Sequence, residues 1–467
     1  MHTTKRTASP QTAVVVKAIL DKDRALEDPL AEICELARTA GLEVLDRFSQ
    51  RLDRPRASTY LGKGKLQEVA RRAAELDVDV VITDNDLSPG QERNLEKLCG
   101  RTIVDRSQLI MDIFAQRAET HQAKLQVELA QLRYMFPRLK RLWTHLSRYE
   151  GGIGMRGPGE TQLETDKRLI SRRIQRLQEE LRDVERQKET TLAHRENEFV
   201  VALVGYTNAG KSTLLNRLTG SEELVEDKLF ATLDTRVRRW PLTRSRHVLL
   251  TDTVGFIRDL PHHLVASFHA TLAETRNANL LLHVVDASAK DAESKIRIVQ
   301  SVLRDIGCEQ ETWLVLNKWD AVTTERMIEA QSLRFSPHVE TRGEPSGVAS
   351  NGASGGRGEP KSLRVSARSG EGLDELRERV LERLNRWSSH HHFAVPHGRE
   401  SVLAYLRENA FVERTEYHDD AVHVWFDISP AREARLRHIF PEGFATSNGS
   451  ASASQNDSAA IGTRVDE

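Results

Sequence analysis

Four short segments carry residue types suited to a charged, hydrogen-bonding ligand, and each follows an apolar run. Gly205-Tyr-Thr-Asn-Ala-Gly-Lys-Ser212 comes after Phe199–Val204 and before the helical Thr213-Leu-Leu-Asn-Arg-Leu218. Strand, glycine loop and helix in that order let backbone amides converge on phosphates. The spacing assigns the amides of Gly205, Tyr206, Thr207, Asn208, Ala209 and Gly210 to such a cradle, Lys211 to the β- and γ-oxygens, and Ser212, with Thr213 beside it, to Mg²⁺. Asp252-Thr-Val-Gly-Phe256 follows His247–Thr251; Asp252 is then the carboxylate on the Mg²⁺ side and the Gly255 amide a γ-phosphate sensor. Asn317-Lys-Trp-Asp320 follows Thr312–Leu316, and Ser366-Ala-Arg368 follows Leu363–Val365.

A phosphate loop alone does not choose a base. Asp320 presents two acceptor oxygens, which match the paired N–H donors on guanine's edge and not adenine's. Asn317 would brace the loops, Lys318 would lie along the base, and the stretch Ser366, Ala367, Arg368 would offer an amide to the guanine oxygen. Thr232, in Leu229-Phe-Ala-Thr-Leu-Asp234, is placed between phosphate loop and DTVG as a switch threonine for Mg²⁺ and γ-phosphate, and Phe230 is counted with the nucleotide-binding residues. Lys211, Thr232 and Gly255 are the catalytic set; Ser212, Thr232 and Asp252 are the metal set. GTP is the substrate that these groups imply. Phe256 stands where a water-orienting glutamine is familiar, so intrinsic hydrolysis should be slow and await a macromolecular partner. Asn208 could help to hold a potassium ion whose charge replaces an arginine finger.

Around these segments the chain of 467 residues is too long for one ordinary core. Hydrophobic content of 39% and charged content of 29% fit a soluble globular class, and no apolar run reaches bilayer length. The start Met-His-Thr-Thr-Lys lacks a signal-peptide core, so a cytoplasmic location is expected, with peripheral membrane association left open. Cys34, Cys99 and Cys308 form no paired motif.

The expected fold class is α/β: a phosphate-loop GTPase domain preceded by a small parallel α/β domain and a long antiparallel helical hairpin, and followed by a small α+β domain. Residues 1–118 hold strands at Val14–Ile19, Val78–Ile82 and Thr102–Val104 with helical patterns between. Within them, Leu61-Gly-Lys-Gly-Lys65 is either an anion-binding glycine loop or a turn capping the helix from Lys65. Residues 119–197 carry two seams at alternating spacings of three and four, Leu125-Leu129-Leu132-Phe136-Leu139 and Ile170-Ile174-Leu177-Leu181-Val184, joined through the glycine-rich tip Gly151–Gly159. Between Arg133 and Arg173 ten Lys or Arg face four Asp or Glu. With Tyr134, Phe136, Trp143 and Tyr149 interleaved, Arg133, Arg138, Lys140, Arg141 and Arg148 make either an RNA-binding face or a solvated helix with seam aromatics.

Residues 198–388 form the G domain, with an expected disordered insertion at 334–361. Ser389-His-His-His-Phe393 reads as a linker or helix end, or less simply as a metal site. Strands Phe411–Tyr417 and Val422–Ile428 flanked by helices complete a small domain at 389–444, and 445–467 reads as a disordered tail.

Taken together, the sequence resembles the HflX family of ribosome-associated GTPases. The resemblance is carried by Tyr60-Leu-Gly-Lys-Gly-Lys65, Asp84-Asn-Asp-Leu-Ser-Pro89, Asp105-Arg-Ser-Gln-Leu-Ile110, Asp112-Ile-Phe-Ala-Gln-Arg-Ala118, Lys124–Leu132, Gly157–Leu163 and Asp252–Ile257, most of them outside the generic GTPase core. It implies binding to the large ribosomal subunit and its rRNA, ribosome-stimulated GTPase activity, splitting of stalled or stress-damaged ribosomes, a monomer, and ATP at Gly62 and Gly64 of the N-terminal domain. The segment Thr235-Arg-Val-Arg238 departs from the family's pattern. Two rival readings are a GTP-dependent RNA-binding scaffold with little hydrolysis and an ATP-driven RNA remodelling enzyme.

Overall fold

The computed structural model describes residues 10–21, 27–139, 158–193, 198–221, 229–230, 236–259, 275–333 and 362–447. Thr232, most of the glycine-rich tip, the insertion 334–361 and the end of the chain lie outside the described residues.

The N-terminal sheet is parallel throughout: β1 (Gln11–Ile19), β2 (Leu42–Arg51), β3 (Val80–Thr83) and β4 (Thr102–Asp105) lie in the order β2-β1-β3-β4. Strand β2 is absent from the sequence reading. It alternates half-buried and exposed residues along its length as an edge strand does, where only helical patterns were expected. Helices α1 (Ala31–Thr39), α2 (Lys63–Glu75), α3 (Pro89–Cys99) and α4 (Arg106–Arg117) cross over between and beyond the strands. At Leu61–Lys65 the helix begins already at Lys63, with Gly62 in extended conformation as its N-cap. The Gly62 amide donates to Gln50 Oε1 at 2.8 Å and Lys65 pairs with Glu68 at 2.7 Å, so an anion there would have to displace both.

Helix α5 (His121–Met135) and the long helix α6 (Pro158–Ala193) pack along Leu125, Leu129, Leu177 and Leu181. Two members of the basic-aromatic set are engaged internally. Arg138 stacks on Tyr134 at 3.5 Å and binds Glu92 and the Leu87 carbonyl of the N-terminal domain, which takes both side chains out of any exposed nucleic-acid face.

The G domain is built on β5 (Val200–Gly205), β6 (Arg236–Pro241), β7 (His247–Asp252), β8 (Leu280–Asp286), β9 (Thr312–Asn317) and β10 (Ser362–Arg364), in the order β10-β9-β8-β5-β7-β6. All neighbours are parallel except β6 and β7. Near-continuous apolar strands such as Leu280–Val285 are what a sheet covered on both faces requires. Because the strands run the same way, Gly205, Asp252 and Asn317 emerge together at its carboxyl edge, where open α/β sheets bind ligands.

The C-terminal sheet is antiparallel, β11 (Ser389–Pro396), β13 (Ala421–Ile428) and β12 (Phe411–Tyr417) in that order. The histidine run is therefore neither linker nor helix end. Within β11, Phe393 and Val395 turn into the core while His390 stays exposed, an alternation that three consecutive histidines hide. The last helix continues to Ser447, past the expected start of a tail at 445, with Phe444 edge-on to Phe393 at 4.8 Å.

Candidate nucleotide site

The loop after β5 is shaped by backbone conformations that side chains would block. Gly205 has φ 154°, and a Cβ there would lie 2.2 Å from the Val284 carbonyl oxygen; Gly210 has φ 88°, with a Cβ 2.3 Å from Asn317 Nδ2. Helix α7 (Lys211–Thr219) then starts with its free amides at the loop. Lys211 is buried and donates Nζ to the carbonyls of Gly205 (3.1 Å) and Tyr206 (3.0 Å). Burial lowers its pKa to about 8, against the opposing pull of Asp252.

Ser212 Oγ donates to Asp252 Oδ2 at 2.7 Å, which joins the first residues of α7 to the end of β7. Asp252 is 1% exposed. A hydroxyl and a carboxylate oxygen side by side at a helix N-terminus are hard donors of the kind Mg²⁺ accepts, so this pair fits that ion. Beyond it, Gly255 approaches the loop so closely that a Cβ would lie 2.7 Å from Thr207 Cγ2 and 3.1 Å from Lys211 Nζ. Phe256 donates its amide to the Gly205 carbonyl at 3.1 Å and accepts from the Thr207 amide at 2.8 Å. Phe256 is 4% exposed and its side chain belongs to an apolar cluster that also holds Tyr206, Val254 and Ile257.

On the other flank, Asn317 Nδ2 donates to the Ala209 carbonyl at 2.9 Å, and its Oδ1 accepts from the Ala367 amide at 3.0 Å. Ser366 Oγ donates to Asp320 Oδ1 at 2.6 Å. Lys318, in left-handed conformation at φ 57°, pairs with Asp286 at 2.8 Å. Burial raises Asp286, but the hydrogen bonds from Lys318 and Ser288 outweigh it and hold the carboxyl below its ordinary range. Arg368 is exposed and Thr213 half-buried.

Thus Gly205–Ser212, Asp252, Gly255, Asn317, Lys318, Asp320, Ser366 and Ala367 come together at one edge of the sheet. Phe230 is set apart: fully buried, at φ 56°, it packs edge-on against Phe114 of α4 at 4.6 Å. Asn208, also left-handed at φ 59°, brings Nδ2 within 3.4 Å of Glu35 Oε1 in the N-terminal domain.

The sequence reading missed a group that joins this site to the N-terminal domain. Glu32 of α1 accepts from the Tyr206 hydroxyl and from Arg106, and Arg258 lies 3.6 Å from it. Arg106 also pairs with Asp84, which pairs with Lys17 at 2.6 Å. Two of these, Asp84 and Arg106, lie in the motifs Asp84–Pro89 and Asp105–Ile110, a signal that their chemistry reaches beyond their own domain.

Three family models match the chain: GTP-binding GTPase N-terminal over residues 27–115, GTP-binding GTPase Middle Region over 117–195, and 50S ribosome-binding GTPase over 200–318. The GTPase HflX of Escherichia coli (strain K12) is 44% identical over 389 residues, 83% of this chain and 86% of its own length. That of Flavobacterium psychrophilum is 44% identical over 81% of this chain and 91% of its own. A solved complex of a GTP-binding protein described as SsGBP with GDP aligns over 80% of this chain and 98% of its own, with 23% identity and a TM-score of 0.44. By its motifs, its site and identity sustained over most of its length, the chain belongs to the HflX family of GTPases.

Proposed function

We propose that this GTPase binds the large ribosomal subunit and uses GTP binding and hydrolysis to control ribosome association and splitting under stress. One observation carries the nucleotide part. Asn317 is hydrogen-bonded to both the phosphate loop and the Ser366–Arg368 loop, which brings a phosphate-binding end and a guanine-reading end onto one rigid rim.

In this reading the amides of Tyr206 to Gly210 surround the α- and β-phosphates and Lys211 exchanges its two carbonyl partners for β- and γ-oxygens. Ser212 and Asp252 would hold Mg²⁺, which would supply positive charge against that developing on the phosphates, and Thr232 would join them in the triphosphate state. Asp320, oriented by Ser366, accepts from guanine; Lys318 covers the base, and Ala367 or Arg368 supplies an amide to its oxygen. The Phe256 ring is buried and has no group to orient water, so the isolated chain turns over slowly and a partner completes the site.

The ribosomal part rests on the family models and on the basic stretch from 133 to 173, with rRNA as the surface that would meet its tip. Among the described residues no helix is long and apolar enough to cross a membrane. Single-turnover GTP hydrolysis with and without ribosomes, together with sedimentation of ribosomes in GTP, GDP and a non-hydrolysable analogue, tests the proposal. Equal rates in both arms and unchanged ribosome profiles would refute it. Asn208 would help to hold a potassium ion beside the phosphates; a rate that is the same in sodium as in potassium would remove that element alone.

A further inference from the structure

The run Ser389–Phe393 puts three histidines on β11, and the alternation of a strand sends them to different surroundings. His391 turns inward, 3.4 Å from Glu433 of the helix Pro430–Ile439, and packs among the rings of Phe393, Phe426 and Phe444. His392 lies on the outer face and meets the His423 ring, nitrogen to nitrogen, at 3.0 Å. His390, on that same face, meets two carboxylates from the other two strands of the sheet.

Strand pairing assembles this group. His390 stands opposite Asp427 of β13, and Asp427 stands opposite Phe411 of β12. The register of β12 shifts between Val412 and Arg414, so Glu413 is the extra residue of a bulge, which re-aims its side chain. His390 Nδ1 lies 2.7 Å from Asp427 Oδ1 and 4.0 Å from Glu413 Oε2, and one ligand atom from each of the three residues lies within 4.8 Å of the others. Nitrogen and oxygen ligands on a tetrahedral zinc ion, each about 2.0–2.2 Å from the metal, stand about 3.4 Å apart. The two observed separations bracket that value.

A cation is already drawn to the group. Arg246, from the turn between β6 and β7 of the G domain, pairs with Asp427 and lies 3.9 Å from Glu413, with its guanidinium 4.7 Å over the Phe411 ring. The amides of Leu242 and Thr243 both donate to the Arg246 carbonyl, at 2.9 and 3.1 Å, which fixes the turn that carries it. A guanidinium offers only N–H groups, so it has no use for an imidazole lone pair. A metal ion can take all three side chains. Imidazole beside two carboxylates suits first-row divalent transition ions, whereas Mg²⁺ and Ca²⁺ select oxygen alone.

We propose that His390, Glu413 and Asp427 form a binding site for a divalent transition ion, Zn²⁺ foremost, separate from the Mg²⁺ pair of the nucleotide site, and that this ion and the Arg246 guanidinium exclude each other. His390 takes the tautomer with its hydrogen on Nε2 and gives the Nδ1 lone pair to the ion, Glu413 and Asp427 give one oxygen each, and water completes the shell.

Zn²⁺ affinity of the full chain, free of nucleotide, is measured by competition with a chromophoric chelator in the parent, in Arg246→Ala, and in Arg246→Ala combined with either His390→Ala or His423→Ala. Removing a positive charge that shares the two carboxylates should tighten Zn²⁺ binding about tenfold or more. His390→Ala should abolish that gain, and His423→Ala, which removes one ring of the neighbouring imidazole pair, should leave it. Arg246→Gln carries the same comparison if Arg246→Ala does not fold. Equal affinity in the parent and the Arg246 variants, or a gain that survives His390→Ala, would overturn the inference. A gain that needs His423 would also overturn it, by moving the ion to the His392–His423 pair.

Discussion

Asn317 and Ala209 are 108 positions apart and are joined by a 2.9 Å hydrogen bond from side-chain amide to carbonyl, while the other end of the same amide receives the Ala367 N–H. Asn317→Ala removes both bonds at once in a buried place. Each orphaned group costs roughly 1–3 kcal/mol. GDP and the GTP analogue should therefore weaken together, by tenfold or more, as read by calorimetry. A loss confined to one of the two would show that the tie does not serve the whole rim.

Asp320, in the proposed reading, acts on the base alone. Its Oδ1 already accepts from Ser366, which fixes the carboxylate plane. Asp320→Asn puts an N–H where an acceptor is needed, and a charge-assisted pair is worth roughly twice a neutral one. GDP affinity should fall about a hundredfold, equivalent to about 2.7 kcal/mol, with no gain for ADP. Competition between GDP and ADP for the variant checks this; undiminished guanine preference would place base recognition elsewhere.

These two residues were legible in the sequence because nucleotide motifs are local. Gly205 and Gly210 are dictated by a backbone path within eight residues, and Asn317 and Asp320 sit on one turn after one apolar strand. What escaped depends on partners far along the chain. Glu32 meets Tyr206 across 174 positions and Arg106 meets Arg258 across 152, and no periodicity links them. Strand β2 was hidden by the charges of an exposed edge, and β11 by a histidine run whose consecutive members face opposite sides. Phe230 was counted with the nucleotide-binding residues, whereas its ring packs edge-on against Phe114.

Ser212 Oγ lies 2.7 Å from Asp252 Oδ2, and the pair fits a magnesium ion. Ser212→Ala keeps the helix start and deletes one oxygen. GTP should then require higher Mg²⁺ for half-maximal turnover, and chelation of the metal should cost the parent chain more GTP affinity than it costs the variant. Titration of Mg²⁺ against hydrolysis rate measures both, and identical midpoints would exclude Ser212 as a ligand.

His283, in the centre of β8 beneath the phosphate loop, predicts an acid limit to stability. Burial, reinforced by Lys211, lowers its pKa to about 3. In the unfolded chain an ordinary histidine titrates near 6.5. Between those values the unfolded state holds a proton that the folded state refuses, so stability is complete above pH 6.5 and is lost as pH falls. One such proton contributes about 1.4 kcal/mol per pH unit. From pH 7 to pH 5 the parent should lose about 2 kcal/mol more than His283→Leu, which cannot take up the proton in either state. Urea unfolding at the two pH values measures that difference. Equal losses in both proteins would mean that the imidazole accepts its proton inside the fold, which the apolar packing of β8 argues against.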